Sequence, residues 1–325
     1  MRSEALTPRP PLPHAGEGEG STQWEGVRAA QPDLSVIIPS VNGWGDLEGC
    51  LRALRAQTGG VGIEAIVADR VGEAVRTPLR REYPEVRLIE APAGTTIPAL
   101  RALAFREARA EVVGVIEDHV IVPPDWSLRM LEAHREGHEV VGGRVENAAR
   151  ERLVDWAAFL CEYSHCLSPP VGPAPWVTGN NVTYRRRLLE SFRPVVDEQR
   201  WENRLHEALQ EAGVTLISRP DIEVGHKKHY TAGEYVHQRY LYARSFAGMR
   251  VEGSGVLRRF AYGLAAFALP PVLLYRIVSR VRQAGRHGRE LVRSLPLLAV
   301  FSVAWASGEM VGYWFGPGNS LGKVC

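Results

Sequence analysis

Between Leu34 and Glu136 the chain repeats one pattern: a short apolar run, a break, then a stretch with helical spacing. The runs "LSVII" (34–38), "IEAIVA" (63–68), "VRLIE" (86–90) and "VVGVI" (112–116) have strand length, and the segments between them are long enough for helices. Strands separated by helical crossovers pair in parallel, so the pattern predicts an α/β fold built on a doubly wound sheet. The segment "TTIPALRALAFREARA" reads as one crossover helix, with Thr95 or Thr96 able to cap it and Pro98 suited to its first turn. After residue 138 the alternation loosens into a strand at 139–145, helices at 151–163, 185–192 and 200–212, and a late strand at 214–218. One mixed α/β domain over 33–250 accounts for all of these.

The flanks differ from that domain. Residues 1–32, rich in Pro, Gly, Glu and Ser, predict a disordered tail, although "PRPPLP" could serve a proline-reading module. Region 251–325 predicts membrane association: the tracts 260–275 and 295–315 are apolar, with Arg276, Arg280, Arg282, Arg286, Arg289 and Arg293 between them. The first tract is short and carries Pro270-Pro271, so 260–278 is expected to lie in the interface or re-enter, while 295–315 spans. A pair of buried core helices is the competing reading. A net charge of +2 over 325 residues gives no broad basic field and argues against nucleic acid as a partner. Four scattered cysteines fit a reduced, cytosol-facing chain, and "CEYSHC" (161–166) lacks the second half of a zinc site.

Candidate chemistry gathers at the strand ends, where ligands of such sheets bind. The first end, "SVIIPSVNG" (35–43), offers Pro39 and Asn42; the second offers Asp69; the third opens through a small-residue loop toward Arg101. At the fourth, Glu117, Asp118 and His119 follow the apolar run directly. Carboxylates on one short turn suit magnesium or manganese facing a diphosphate, and an imidazole tilts the choice toward manganese. A solvated charged turn is the plain alternative. "TGNN" (178–181) places Gly179, Asn180 and Asn181 where a hydroxyl-rich acceptor could be held, or where a turn simply precedes a helix. His226 in "GHKKHY" (225–230) either completes a metal shell or belongs to a basic loop.

In order and spacing, "LSVIIPSVNG", "IVADRVGE", "PAGTTIPALR" and "VVGVIEDHVIVPPDW" resemble the family 2 glycosyltransferases, a likeness continuing through "WVTGNNVTYRRRLLE" and "VDEQRWENRLHEALQEAG". The resemblance implies a GT-A (nucleotide-diphospho-sugar transferase) fold and an inverting displacement at a sugar's anomeric carbon. It places Asp69 at the nucleoside and Arg101 before the diphosphate. It puts Glu117, Asp118 and His119 on the metal motif, Asp118 and His119 being the first choices as ligands, and makes Glu202 the catalytic base. Glu202 in a helix's first turn is equally favourable to the helix dipole. Three positions depart from the family pattern: Arg70 follows Asp69, Ala102 follows Arg101, and the metal motif reads Glu-Asp-His.

These readings together predict a membrane-associated, Mn2+- or Mg2+-dependent glycosyltransferase. It would use a nucleotide-sugar donor and a lipid-linked or cell-envelope polysaccharide acceptor at the cytoplasmic face of the inner membrane. A degenerate, non-catalytic scaffold of the same fold and a GT-A-like nucleotidyltransferase are the alternatives.

Overall fold

The computed structural model describes residues 31–324; the expectations for the N-terminal tail and its "PRPPLP" segment lie outside them. The first half alternates β1 (Leu34–Ser40), α1 (Trp44–Arg55), β2 (Ile63–Asp69), α2 (Glu73–Glu82), β3 (Arg87–Glu90), α3 (Ile97–Phe105) and β4 (Val112–Ile116). There follow β5 (Val120–Ile121), α4 (Trp126–Arg135), β6 (Val140–Asn147), α5 (Leu153–Tyr163), β7 (Gly172–Pro173) and β8 (Asn181–Arg185). The chain continues through α6 (Arg186–Ser191), α7 (Arg193–Val196), α8 (Glu202–Glu211), β9 (Leu216–His226) and α9 (Ala232–Arg250). Three further helices close it: α10 (Val256–Ala265), α11 (Leu269–Ala284) and α12 (Gly288–Phe315).

The strands form one mixed sheet in the order β3-β2-β1-β4-β8-β6-β9-β5, with β7 added against β9. Its first four strands are parallel, and β8 enters antiparallel between β4 and β6. β1, β2 and β4 are buried along their length, which is why each reads as a nearly unbroken apolar run. Ser35, the polar residue inside β1, is satisfied by donating to Glu64 at 2.7 Å and accepting from the Arg109 and Ala110 amides. At α3, Thr96 is the cap, accepting from the Ala99 amide at 3.2 Å, and Pro98 lies in the first turn. β8 was not among the expected strands: its backbone follows "TGN" directly, and half of its inward positions are the polar Asn181 and Thr183.

At the carboxyl ends of the parallel strands, α9 closes the crevice. A capping box of Thr231 and Glu234 starts this helix. One side of α9 packs Leu241 against Ile97 and Trp201, and its other side lies along α12. Two helical stretches, Val256–Ala284 and Gly288–Phe315, are long and apolar enough to cross a membrane. Pro270 and Pro271 do not end the first of these, because they fall in the opening turn of α11, where missing amide hydrogens are tolerated.

α12 approaches α9 closely because glycines face the contact. A Cβ at Gly308 would stand 2.3 Å from the Tyr240 carbonyl oxygen, and one at Gly312 2.5 Å from that of Arg244. In an open helix Gly→Ala stabilises by roughly 1 kcal/mol. Here the sign reverses: Gly308→Ala is expected to destabilise by about 1–3 kcal/mol through overpacking. Thermal melting beside the half-buried Ser307→Ala checks this, and an unchanged or higher Tm for Gly308→Ala would contradict the contact.

Candidate active site

Carboxylates organise the strand ends, Asp69 and Asp118 buried and Glu117 and Glu202 partly exposed. At the end of β2, Asp69 is fully buried; its oxygens accept from Ser40 Oγ at 3.0 Å, the Val71 amide at 3.1 Å, the Gly72 amide at 2.9 Å and Arg76 Nε at 2.7 Å. Four donors fill a carboxylate's usual capacity. Asp69 therefore orders the β2–α2 turn and clamps Arg76 rather than presenting a free oxygen to a nucleoside. Arg70 beside it donates to the Thr95 carbonyl at 2.7 Å and to the Gly322 and Val324 carbonyls, tying the end of the described chain to the third strand end.

At the end of β4 the triplet divides its work. Asp118 accepts from the Val41 and Asn42 amides at 2.8 and 2.9 Å and from Asn42 Nδ2 at 2.6 Å, so it holds the β1–α1 loop. Its Oδ1 also lies 3.0 Å from His119 Nδ1. If that nitrogen carries the proton, His119 Nε2 is free to act as a ligand on its other side. Asn42 is in turn held by Lys228, so both act as buttresses. Pro39 lines the cavity beside them.

His226 closes the group from the last residue of β9, in register with Val120 on one neighbouring strand and Asn147 on the other. His119 Nε2 faces His226 Nε2 at 2.8 Å, and Glu117 Oε2 lies 3.4 Å from the first and 4.0 Å from the second. Glu117, His119 and His226 thus bring three ligand atoms within 4.8 Å of one another. Two imidazoles in one metal shell stand roughly 3 Å apart, given bonds of about 2 Å, so the spacing fits a divalent ion. This cluster brings Glu117 as its carboxylate where the expected set had Asp118, whose oxygens accept from the β1–α1 loop. A mixed nitrogen and oxygen shell favours manganese over magnesium. Burial, then the neighbouring His119, pushes His226 down to about 3, leaving the neutral imidazole that binds metals. For His119 burial opposes charge, but hydrogen bonds to Asp118 and Glu117 outweigh it and raise the group to about 9.

Arg101 connects this group to Glu202. Buried in α3, it donates to Glu202 Oε2 at 2.9 Å and leans toward Glu117 Oε1 at 3.8 Å, while its Nε has no partner. Glu202 opens α8 and remains partly exposed. Gly179 makes room for it: a Cβ there would come 2.4 Å from Glu202 Cδ. Asn180 donates to Glu117 at 3.1 Å and to Tyr163 Oη at 2.8 Å, with its own carbonyl oxygen unpartnered. Asn181 belongs to the scaffold instead. It is fully buried, accepts from Trp126 Nε1 and donates to the Arg144 and Ile222 carbonyls, so no part of its amide is open to an acceptor.

A narrow cleft lies against the Glu117–His119–His226 group. Its far walls come from α5 and α9 through Glu162, Tyr163, Tyr235, Arg239 and Tyr242. The interleaved aromatics and arginines of "YVHQRYLYARSFAGMR" are the sequence signal for three of them, Tyr235, Arg239 and Tyr242. Glu202 and Arg101 line a second narrow cleft with Pro98, Phe105 and Gly179. The cysteines of "CEYSHC" are free thiols in the core, with no metal-holding role in the clusters of the described residues.

Asp118→Asn keeps the volume but removes the charge and leaves one acceptor oxygen for partners that now use two, Val41 and Asn42 amides on Oδ2 and Asn42 Nδ2 and His119 Nδ1 on Oδ1. Loss of such a supporting carboxylate weakens metal affinity by about 10–100-fold. Titration of Mn2+ by electron paramagnetic resonance is expected to show a drop in that range; an unchanged Kd would contradict the supporting role.

Residues 35–192 match the model of glycosyl transferase family 2. Comparison with curated protein sequences found no match. Among solved structures, the mannosyltransferase PcManGT from Pyrobaculum calidifontis, in complex with GDP-Man and Mn2+, is similar at 16% sequence identity and a TM-score of 0.46, over 92% of this chain and 93% of that one. The matched residues carry the parallel strand ends, Arg101 and the Glu117–His119 triplet on a mixed α/β sheet, and over this stretch the chain is similar to glycosyl transferase family 2.

Proposed function

We propose that the domain over 33–250 is an inverting glycosyltransferase that moves a sugar from a nucleotide-diphosphate donor to a lipid-linked or envelope-polysaccharide acceptor. The attached region 251–325 would hold it at the cytoplasmic face of a membrane. One observation carries the catalytic part: the Arg101 guanidinium bridges Glu202 and the metal-capable Glu117, at 2.9 and 3.8 Å. Base, cation and metal-capable group thus stand in a row at the carboxyl ends of the strands.

Glu202 takes the proton of the acceptor hydroxyl as its oxygen attacks the anomeric carbon, and the bond from that carbon to the diphosphate breaks. A divalent ion held by Glu117, His119 and His226 would supply positive charge to the departing diphosphate. Arg101 adds to it with fixed hydrogen-bond donors. Before substrate arrives, Arg101 occupies the Glu202 carboxylate. A diphosphate offers the guanidinium a competing anion, and its arrival frees Glu202 to meet the acceptor. Asn180 holds Glu117 from the side opposite Arg101, and its unpartnered carbonyl oxygen is available to a sugar or acceptor hydroxyl.

Membrane attachment is supported by the two apolar helical stretches and by the loop joining them. Arg286 and His287 of that loop pair with Glu146 of β6, the histidine at 3.1 Å. This pairing supports a topology in which the basic loop and the catalytic domain share one side of the membrane.

Glu202→Gln preserves shape and removes the base. Transfer measured over a panel of nucleotide sugars with Mn2+ is expected to fall by about 10²–10⁴-fold, with donor Kd within a few-fold of the parent. Unchanged turnover would remove Glu202 from this role, and absence of turnover by the parent with every donor would favour the non-catalytic scaffold.

A further inference from the structure

We infer that the α10–α12 region enters one leaflet side-on, with its helices along the membrane plane, rather than carrying α12 across the bilayer. This rests on the membrane attachment proposed above and specifies its geometry.

α12 has 28 residues, a length of about 42 Å, against a hydrocarbon core of about 30 Å. Both of its ends are held by the same globular domain. At the start, Arg286 and His287 meet Glu146 at the end of the sheet. Along the middle, Phe301 packs on Tyr235 and Trp305 lies under the Arg239 guanidinium at 4.0 Å. Toward the end, Gly308 and Gly312 touch the α9 backbone. Beyond Phe315 the chain turns back, Val324 is buried with Ile97, Trp201 and Leu241, and Arg70 binds its carbonyl. A crossing α12 would therefore carry α9 and the adjoining charged surface, including the Arg200–Glu252 pair at 3.1 Å, into hydrocarbon. Charges there cost several kcal/mol each, so the crossing arrangement is excluded by its own packing.

The outward face fits a leaflet. Leu257, Phe260, Leu264 and Phe267 are exposed at helical spacing along α10 and the turn after it, and Val292, Val300 and Val303 are exposed on α12. Arg276, Arg282, Arg289 and Arg293 are exposed beside this apolar face. From Val256 to Val303 the only acidic residue is Glu290. An apolar face edged by arginines complements an anionic lipid surface, and a protein partner would need no such one-sided charge.

The test reads topology without turnover, so its failure and failure of the catalytic reading are separable. In the full chain carrying Cys325→Ser, single reporters Arg282→Cys and Asn319→Cys are exposed to a membrane-impermeant maleimide in sealed cells. Modification is read peptide by peptide. Neither reporter is expected to react until the membrane is permeabilised, after which both react at least tenfold more. Reaction of either one in sealed cells overturns the inference, because any crossing of α12 or of α10–α11 puts one of them outside. With purified protein, binding to vesicles containing phosphatidylglycerol is expected to fall at least tenfold in Phe260→Glu/Phe267→Glu with an unchanged melting profile. Equal binding by that variant, or no vesicle binding by the parent, also overturns it.

Discussion

The Asp118 carboxylate, buried at the end of β4, receives two backbone amide hydrogens and one side-chain amide from Val41 and Asn42. Hydrogen bonds to a charged acceptor contribute about 1.5–3 kcal/mol each, and a buried carboxylate without them would be strongly disfavoured. This arrangement joins the first and fourth strand ends, which the sheet places side by side. Once Asp118 is fixed, its remaining contact sets the His119 ring, and the ring sets where a nitrogen meets His226 and Glu117. The geometry of the metal-capable group is thus decided by a residue that need not touch the metal.

A second chain of contacts runs outward from the same place. Arg101 ties Glu117 to Glu202, whose position depends on the missing side chain at Gly179. On the other wall, Arg239 projects from α9 into the cavity while resting on Trp305 of α12. The apolar helices are therefore not an appendage: a guanidinium lining the cavity is braced by a residue of the helix that faces lipid in the arrangement inferred above. A lipid-linked acceptor arriving along that face would meet the cavity where α9 closes the crevice.

Much of the sheet was legible because parallel buried strands announce themselves as apolar runs between helices, as β1, β2 and β4 do. β8 was not, since an antiparallel strand that follows "TGN" and carries Asn181 and Thr183 inward has neither an apolar run nor a clean alternation. β9 was legible only to Ser218; the stretch through Pro220 to His226 looks like a loop, and the sheet accommodates it by a register shift after Gly143. The triplet at 117–119 was found, but which carboxylate faces inward depends on how the chain leaves β4, and residue identity does not encode that. Likewise the family resemblance pointed to Asp69 and residue type to Asn181, while nothing in the sequence says that Arg76 and Trp126 are the groups that pair with them. In the C-terminal region composition revealed apolarity, whereas the direction of the helices depends on tertiary anchors such as Glu146 and Arg70.

Glu117, His119 and His226 are proposed to form one divalent-cation site. Electron spin-echo envelope modulation of the full chain loaded with Mn2+ tests it most directly. Nitrogen couplings from two imidazoles are expected, with one lost in His119→Ala and one in His226→Ala. A spectrum with oxygen ligands alone, unchanged by either substitution, would contradict it.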